Sequence, residues 1–538
     1  MLLIAAVALL GARKITQGGL GWSDAPQHAM DGAFLLALLR DLPLGDLRAW
    51  AEQFYVRHPA LGIIVYYPPG FALVEALFYA VGGVGVVAAR VCVLAHAAGA
   101  SVLMVLIGAR WFDRRTGLAA ALLLLTCPHG AAWLFDVMLE WPATFWLLLT
   151  IFCYLRFRET QATGWAAAAS AAFLMSVLTK QPTGLIAPVL LAHLLCTRDG
   201  RLLFRRPLVL ATGLAAAAVV GGYFLFARRF TALPRSLVQP DLSDPAYYLA
   251  RLGETAGWPL VMLAAVGLIS LVRDRRTGPT TTAAGTPLLP VFWFVAYGLF
   301  VTLISAKEPR YFFFALPPLA WWAATCCGIR LGRFNAGTVV VAWIIGLQAM
   351  SVLRAYPRHL PRYDAAVRAL LDRGDADLVL VDAVRDGQFI FDAYCDPEAR
   401  ERIVTLRASK LLYARAARMK YGGQEFARTI DDVIAVLDRY AVRYVLLESA
   451  LPMTDDRSAD PLARRLLRLA VEDQRRFEPL ARWPLRCGDP AWDAVELRLY
   501  RYRNCPERGE TTVRLPMPSM GGDVQIPLPR PLPDPNRR

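Results

Sequence analysis

The sequence predicts a mostly α, polytopic membrane protein of about eleven transmembrane helices, followed by a C-terminal extracytoplasmic α/β domain. Three observations carry this. Of the 538 residues, 56% are hydrophobic and only 19% charged, where a soluble chain carries nearer a quarter; mean hydropathy is +0.38. Apolar runs of about 20 residues, the length that crosses a bilayer, recur from residue 91 to 353. After Arg354 they stop, and short strand-like segments alternate with amphipathic helices. The net charge of +15 would point to nucleic acid in a soluble protein. Here only five of the 59 basic residues are Lys. The Arg residues punctuate the apolar runs, which makes them topology determinants and excludes nucleic acid as a partner.

The first element, MLLIAAVALLGA, meets Arg13 and Lys14 early. It reaches span length either by running on to about Leu20 with those charges snorkelling, or from a start further upstream. Residues 22–90 then form a long first outer loop. Within it, Tyr67 to Gly82 is apolar for a helix's length, but stands behind Pro68-Pro69 and would break the alternation of sides if it crossed. It is expected to lie in the interface. Spans follow at about 91–110, 116–134, 138–155, 163–179, 182–197, 207–227, 256–272, 287–305, 311–328 and 334–353. One set of loops holds Arg110, Arg114 and Arg115; Arg156 and Arg158; Arg198, Arg201, Arg205 and Arg206; Arg273, Arg275 and Arg276; and Arg330 and Arg333. These are cytoplasmic by the positive-inside rule. The opposite side then receives residues 22–90, Asp136 to Trp141, Lys180 to Pro182, 228–255, Ala306 to Arg310 and everything after Arg354. The Arg-heavy usage and short outer loops fit a bacterial inner membrane.

The domains are therefore 1–353 (transmembrane), 354–505 (extracytoplasmic α/β) and 506–538 (tail). In the second, DLVLVDA (377–383), RIVTL (402–406), VRYVLLE (442–448) and AVELRLYRYR (494–503) read as strands. TIDDVIAVLDRYA (429–441) and PLARRLLRLAVEDQRRF (461–477) read as helices. Asp382 leads into AVRDGQ, with no nucleotide-binding glycine fingerprint. Cys487 and Cys505 flank the last strand and are expected to pair, leaving Cys395 over. Eight prolines in the last 33 residues argue a disordered tail.

Polar groups gather on the outer side. Asp24, His28 and Asp31 cluster after the first span; Asp136 and Glu140 open another; Lys180 lies in LTKQPTG, and Lys307 and Arg310 lie in SAKEPRYFFFALPP. Helix caps and snorkelling anchors would explain any one of them. Together, acids and cations at one membrane face suit a particular reaction. A sugar leaving a lipid phosphate needs that phosphate neutralised, which Lys and Arg do. The attacking hydroxyl needs a base, which a carboxylate supplies.

These residues resemble the GT-C superfamily of integral-membrane glycosyltransferases, in the branch of protein O-mannosyltransferases and lipid A aminoarabinose transferases. The resemblance covers about residues 15–330. Asp31, Phe34 and Arg40 match the spacing of the family's first outer-loop motif, in which the residue after the Asp is Glu; here it is Gly32. Tyr67-Pro68-Pro69 matches the proline pair that opens an outer-loop helix, and Arg90 the basic residue ending that loop. Glu140-Trp141-Pro142, Lys180 to Gly184, and Lys307, Arg310 and Tyr311 match later elements. The resemblance implies an inverting transfer from a polyprenyl-phosphate sugar to a glycan, lipid or protein hydroxyl. Asp31 or Asp24 would be the base, and Lys307, Arg310, Lys180 and Arg90 would hold the donor phosphate. Asp136, Glu140, His28, His58, Tyr67 and Tyr311 would position substrates. Some relatives bind a divalent metal; His28, His58 and Glu75 are available here, at no metal-ligand spacing. Two other classes compete: a scaffold of polysaccharide assembly that keeps the fold without the chemistry, and a lipid or sugar transporter, against which the missing internal repeat argues.

Overall fold

The computed structural model describes residues 15–16, 18–63, 66–197, 207–228, 240–277, 288–305, 307–354, 361–374, 378–415, 423–451, 460–487, 490–507, 509–510, 512–517 and 522–528. The expected first span falls almost wholly outside the described residues, as does the loop of Arg198 to Arg206. Helices Val86–Trp111, Pro207–Ala227 and Ala336–Arg354 are each long and apolar enough to cross a membrane. Shorter apolar helices accompany them at Thr163–Thr179, Trp258–Arg273 and Leu288–Leu303. Gly70–Gly82 is about 20 Å long at 1.5 Å per residue, well short of a bilayer core of about 30 Å.

Three expected spans are interrupted, each at a proline. The 116–134 run divides into Arg114–Thr126 and Pro128–Ala132, because Cys127 precedes Pro128 and is extended, with ψ 156°. The 182–197 and 311–328 runs begin as 3₁₀ turns, Gln181–Leu185 and Pro309–Ala315, with Pro182 and Pro309 in their first turns. Tight crossings hold the bundle together. A Cβ on Gly108 would stand 2.6 Å from Gly117 Cα, so two helices meet backbone to backbone. The fully buried Trp141, Trp293 and Trp321 donate their indole N–H to the carbonyls of Gly130 (2.9 Å), Phe314 (2.8 Å) and Met104 (3.1 Å).

One helix separates the two sets of loops. At one end of Glu140–Thr160, Glu159 pairs with Arg110 (3.1 Å) and Arg156 (2.8 Å). At the other end, about 30 Å away, Glu140 pairs with Lys180 (2.5 Å).

The C-terminal domain is built on a five-stranded sheet of order β2-β1-β5-β7-β6: β1 Leu378–Asp382, β2 Val404–Arg407, β5 Tyr444–Glu448, β6 Phe477–Pro484 and β7 Glu496–Tyr502. β1, β2 and β5 run parallel; β7 and β6 are antiparallel. Short strands β3 Tyr413–Arg415 and β4 Gly423–Glu425 pair with each other. Alternate strand residues feed two cores, with Leu378, Leu380, Val445 and Leu447 on one face and Val379, Val381, Tyr444 and Leu446 on the other.

Two expectations fail here. Within the stretch expected to be disordered, β8 Thr512–Met517 and β9 Gly522–Pro527 form a hairpin, because Val513, Leu515 and Ile526 are buried in the first of those cores. Cys487 and Cys505 are not joined in a disulfide. Cys487 packs in the core of one sheet face and Cys505 against the core of the other, so the sheet lies between them.

This domain is docked on the first loop of the membrane portion. Its helix Asp386–Cys395 contributes Ile390, Phe391 and Tyr394 to the core of the helical bundle. In return Val56, from helix Leu47–Arg57, is buried in the sheet domain's core.

Candidate functional site

Asp24, His28 and Asp31 lie on one face of helix Ala25–Asp41, spaced four and three residues apart. Asp24 precedes the first helical residue yet caps nothing. Its Oδ2 instead accepts from Arg310 Nη1 at 2.9 Å. The Pro309–Ala315 turn presents Arg310, whose Nε also meets Glu308 Oε2 at 2.5 Å. Its guanidinium lies over the rings of Trp22 (5.7 Å) and Tyr311 (5.5 Å). A second ion pair stands alongside: Lys180 Nζ donates to Glu140 Oε1 at 2.5 Å, with Glu140 fully buried. Lys180 sits over the rings of Tyr311 (5.8 Å) and Phe314 (5.7 Å), and among the described residues Glu140 Oε2 has no hydrogen-bond partner. The four charges of Asp24, Glu140, Lys180 and Arg310 all bear on His28. Tyr67 completes the group, its ring 4.4 Å from that of His28 and its hydroxyl bonded to Asp24.

Asp31 lies one step deeper. Its Oδ1 accepts two backbone N–H bonds, from Gly62 (2.8 Å) and Ile63 (2.9 Å). Burial pushes its pKa up to about 8 despite those bonds. Asp24 behaves oppositely: burial raises it, but Arg310, His28 and the Tyr67 hydroxyl together hold it at about 2. Burial outweighs the carboxylates around His28 and lowers it to about 4. At neutral pH Asp24 is thus ionised, His28 neutral, and Asp31 mostly protonated.

Glu75 is the residue whose place sequence reasoning missed. A Cβ on Gly32 would stand 2.4 Å from Glu75 Oε2 and 2.8 Å from its Cγ. The carboxylate of Glu75 therefore fills the space that a side chain at position 32 would take. Its Oε1 accepts from Tyr79 at 3.2 Å. The only signal was a lone acid in the apolar run FALVEALFYAVG.

Other expected residues lie apart from the cluster. Lys307 Nζ donates to the carbonyls of Asp241 (2.6 Å), Thr302 (3.1 Å) and Ile304 (3.4 Å), capping a helix end. Arg90 is buried and donates to the carbonyls of Phe135 (3.0 Å), Ile15 (3.1 Å) and Gly19 (2.5 Å). Asp136 Oδ1 accepts from Val137 N (3.0 Å) and Gly21 N (3.3 Å). Arg90 and Asp136 thus anchor the segment leading to Trp22. Arg40 is exposed in the last turn of its helix. His58 packs on the rings of Phe54 (5.2 Å) and Tyr394 (4.8 Å). His28, His58 and Glu75 do not converge, and among the described residues no three His, Cys, Asp or Glu are grouped to hold a metal ion. These residues do not fit a bound metal.

A family model described as dolichyl-phosphate-mannose-protein mannosyltransferase matches residues 66–223. No curated protein matches the sequence. Among solved structures, ArnT from Cupriavidus metallidurans bound to undecaprenyl phosphate is similar at a TM-score of 0.58 and 15% identity, over 95% of this chain and 98% of that one. The archaeal oligosaccharyltransferase AglB from Archaeoglobus fulgidus, in complex with an inhibitory peptide and a dolichol-phosphate, is similar at 0.53 and 12% identity, over 83% of this chain and 68% of that one.

Proposed function

We propose that this chain, which has the fold of the GT-C superfamily of membrane glycosyltransferases, is an inverting glycosyltransferase. It would move a sugar from a polyprenyl-phosphate donor to an acceptor hydroxyl, on a glycan, lipid or protein, at the outer face of a bacterial inner membrane. The observation that carries this is the pair of ion pairs, Asp24–Arg310 and Glu140–Lys180, gathered around His28 one step from Asp31. Both cations are already in place, each held by a carboxylate with which an arriving phosphate would share or exchange it, so neither cation is left unpaired before the donor binds. The sorting of Arg110 and Arg156 to the end of Glu140–Thr160 opposite Lys180 supports the outward orientation.

In the reaction the acceptor oxygen bonds to the anomeric carbon as the bond from that carbon to the phosphate oxygen breaks. The polyprenyl phosphate leaves with its electron pair, held by Arg310 and Lys180. The hydroxyl proton passes to Asp31. Asp31 suits the base role better than Asp24, because a base works best with its pKa near the working pH. Asp24, held low by Arg310, orients that guanidinium instead. Glu140, His28, Tyr67 and Tyr311 line the group and would orient the sugar. Lys307 and Arg90, engaged with backbone carbonyls, drop out of the phosphate set.

Release of free polyprenyl phosphate from a panel of polyprenyl-phosphate sugars tests this, with the full-length protein in nanodiscs and membrane extract as acceptor source. Wild type is expected to release it from at least one donor. Asp31→Asn should cut the rate by about 10²- to 10⁴-fold while keeping the fold, since an amide oxygen still accepts the Gly62 and Ile63 N–H bonds. No release from any donor, with lipid bound, would favour a scaffold or a transporter. Normal turnover by Asp31→Asn with loss in Asp24→Asn would move the base to Asp24.

A further inference from the structure

We propose that Arg407 and Asp386 of the C-terminal domain are positioning residues for Asp31, acting through the loop that carries Gly62 and Ile63. The proposal rests on the role given to Asp31 above. Residues 58–62 form no regular element, and they lead into the two N–H groups that orient the Asp31 carboxylate. Three residues earlier in the same loop, the Pro59 carbonyl accepts from Arg407 Nη1 at 2.9 Å. Arg407 ends strand β2, and Asp386 fixes its guanidinium through two bonds, Nε–Oδ2 at 2.7 Å and Nη2–Oδ1 at 2.9 Å. Ser409 Oγ adds a third bond to Asp386, at 3.3 Å. The loop is therefore gripped from one side by the reacting carboxylate's helix and from the other by a forked ion pair that joins the end of β2 to the first residue of helix Asp386–Cys395.

The two domains also meet directly at this place. A Cβ on Gly387, next to Asp386, would stand 3.1 Å from Pro26 Cβ in the first turn of the Asp31 helix. One residue on, Gln388 Oε1 accepts from Leu20 N at 2.8 Å. His58, at the start of the loop, packs on Tyr394. A bidentate Arg–carboxylate pair specifies direction as well as charge, and a displacement of about 1 Å at a reacting group costs up to about a hundredfold in rate. A loop without regular hydrogen bonding needs such an external support to present two N–H groups to one oxygen.

The consequence is electrostatic. Backbone N–H bonds favour the ionised carboxylate. Loosening the grip on Pro59 should weaken those to Asp31, so that it binds its proton more tightly. The other groups facing Asp31 are Glu75 from the Gly70–Gly82 helix, Tyr223 from Pro207–Ala227, Tyr67 beside Gly62, and His28 on its own helix. Around Arg407 stand Asp386, Tyr55, Tyr66 and Lys410. None of these is changed in Arg407→Ala or Arg407→Lys.

Polyprenyl phosphate release against pH is measured for the full-length wild type, Arg407→Ala, Arg407→Lys and Asp386→Asn. Arg407→Ala is expected to move the acidic limb of kcat to higher pH by about half a unit to one unit, with kcat lower by about tenfold and the donor KM unchanged. Asp386→Asn should shift it in the same direction by less, and Arg407→Lys should recover part of the loss. Hydrogen exchange at residues 60–63 reads the same coupling without turnover and should quicken in Arg407→Ala. An unmoved limb with unchanged exchange, whatever happens to the yield of folded protein, overturns the proposal. A wild type that releases nothing overturns the transferase reading alone, and exchange at 60–63 then still decides the coupling. Should Arg407→Ala fail to fold, Asp386→Asn carries both measurements.

Discussion

Gly32→Ala is a small change with a calculable consequence. In a helix interior, Gly to Ala ordinarily gains about 1 kcal/mol from backbone entropy. Here the new methyl would lie 2.4 Å from Glu75 Oε2, 2.8 Å from its Cγ and 2.9 Å from its Cδ. Glu75 is fully buried, so its carboxylate has no route to solvent and must shift among packed neighbours. Overpacking of this kind costs about 1–3 kcal/mol, enough to cancel the helix gain and leave a net loss of up to about 2 kcal/mol. Glu75→Ala alone opens a cavity and removes the acceptor of one Tyr79 hydroxyl contact, leaving that hydroxyl its bond to the Ala29 carbonyl (3.2 Å). In the double variant the added methyl enters the vacated space. The two changes should therefore be coupled by about 1–2 kcal/mol in the favourable direction. The four proteins are compared by temperature of half-inactivation in one detergent, since a large membrane protein need not unfold in two states. Gly32→Ala should fall below wild type, and the double variant should be no worse than Glu75→Ala. Losses that simply add would refute the contact, and with it the argument that Glu75 occupies the place of a side chain at position 32.

Two further outcomes follow from the same geometry. Because Asp31 ionises at about 8 and the base must be ionised to act, kcat/KM should rise tenfold per pH unit below that value and level off above it. The rate at pH 6 is then about a hundredfold below the plateau; Asp24 at about 2 and His28 at about 4 add no limb in that range, and a flat profile between pH 6 and 9 would exclude Asp31 as the base. Truncation after Glu507 should strip Val513, Leu515 and Ile526 from the sheet domain's core, lowering its thermal stability and exposing it to protease, whereas a tail without structure would be lost at no cost.

The apolar runs were legible because a bilayer imposes one length on every crossing. The run at 163–179 and the run at 207–227 coincide with helices Thr163–Thr179 and Pro207–Ala227. The break at Pro128 was not, since hydrophobicity continues through CPHGAAWLF and hides the change of backbone direction. The hairpin at the end was hidden by composition: its prolines masked the alternation of Val513, Leu515 and Ile526, which is what gives a strand one buried face. Residue type predicted that cations would gather at one end of the bundle, but not which way each would turn. Lys180 and Lys307 both sit at helix junctions, yet one meets a carboxylate and the other three carbonyls. Glu75 lies 43 positions after Gly32, and only the packing of two helices brings its carboxylate there.

That packing bears on why the site holds its cations in pairs. A guanidinium or ammonium left alone at this depth would lose its hydration with nothing to replace it, and the loss would fall on the folded protein whenever donor was absent. Pairing Arg310 with Asp24 and Lys180 with Glu140 offsets part of that cost. Under the proposed function it also means that an arriving phosphate competes with two carboxylates for the same donors. The bound donor is a phosphodiester with one charge, like a carboxylate, and the phosphate gains a further charge and acceptor oxygen as the sugar bond breaks, so the cations favour it most in the departing state. The exchange is also reversible, because the carboxylates stay within reach to reclaim the cations once the lipid phosphate departs. Asp31 stands outside this exchange, held by backbone N–H groups rather than by a cation. Under the proposed function it is therefore free to take a proton without giving up an ion-pair partner to the phosphate.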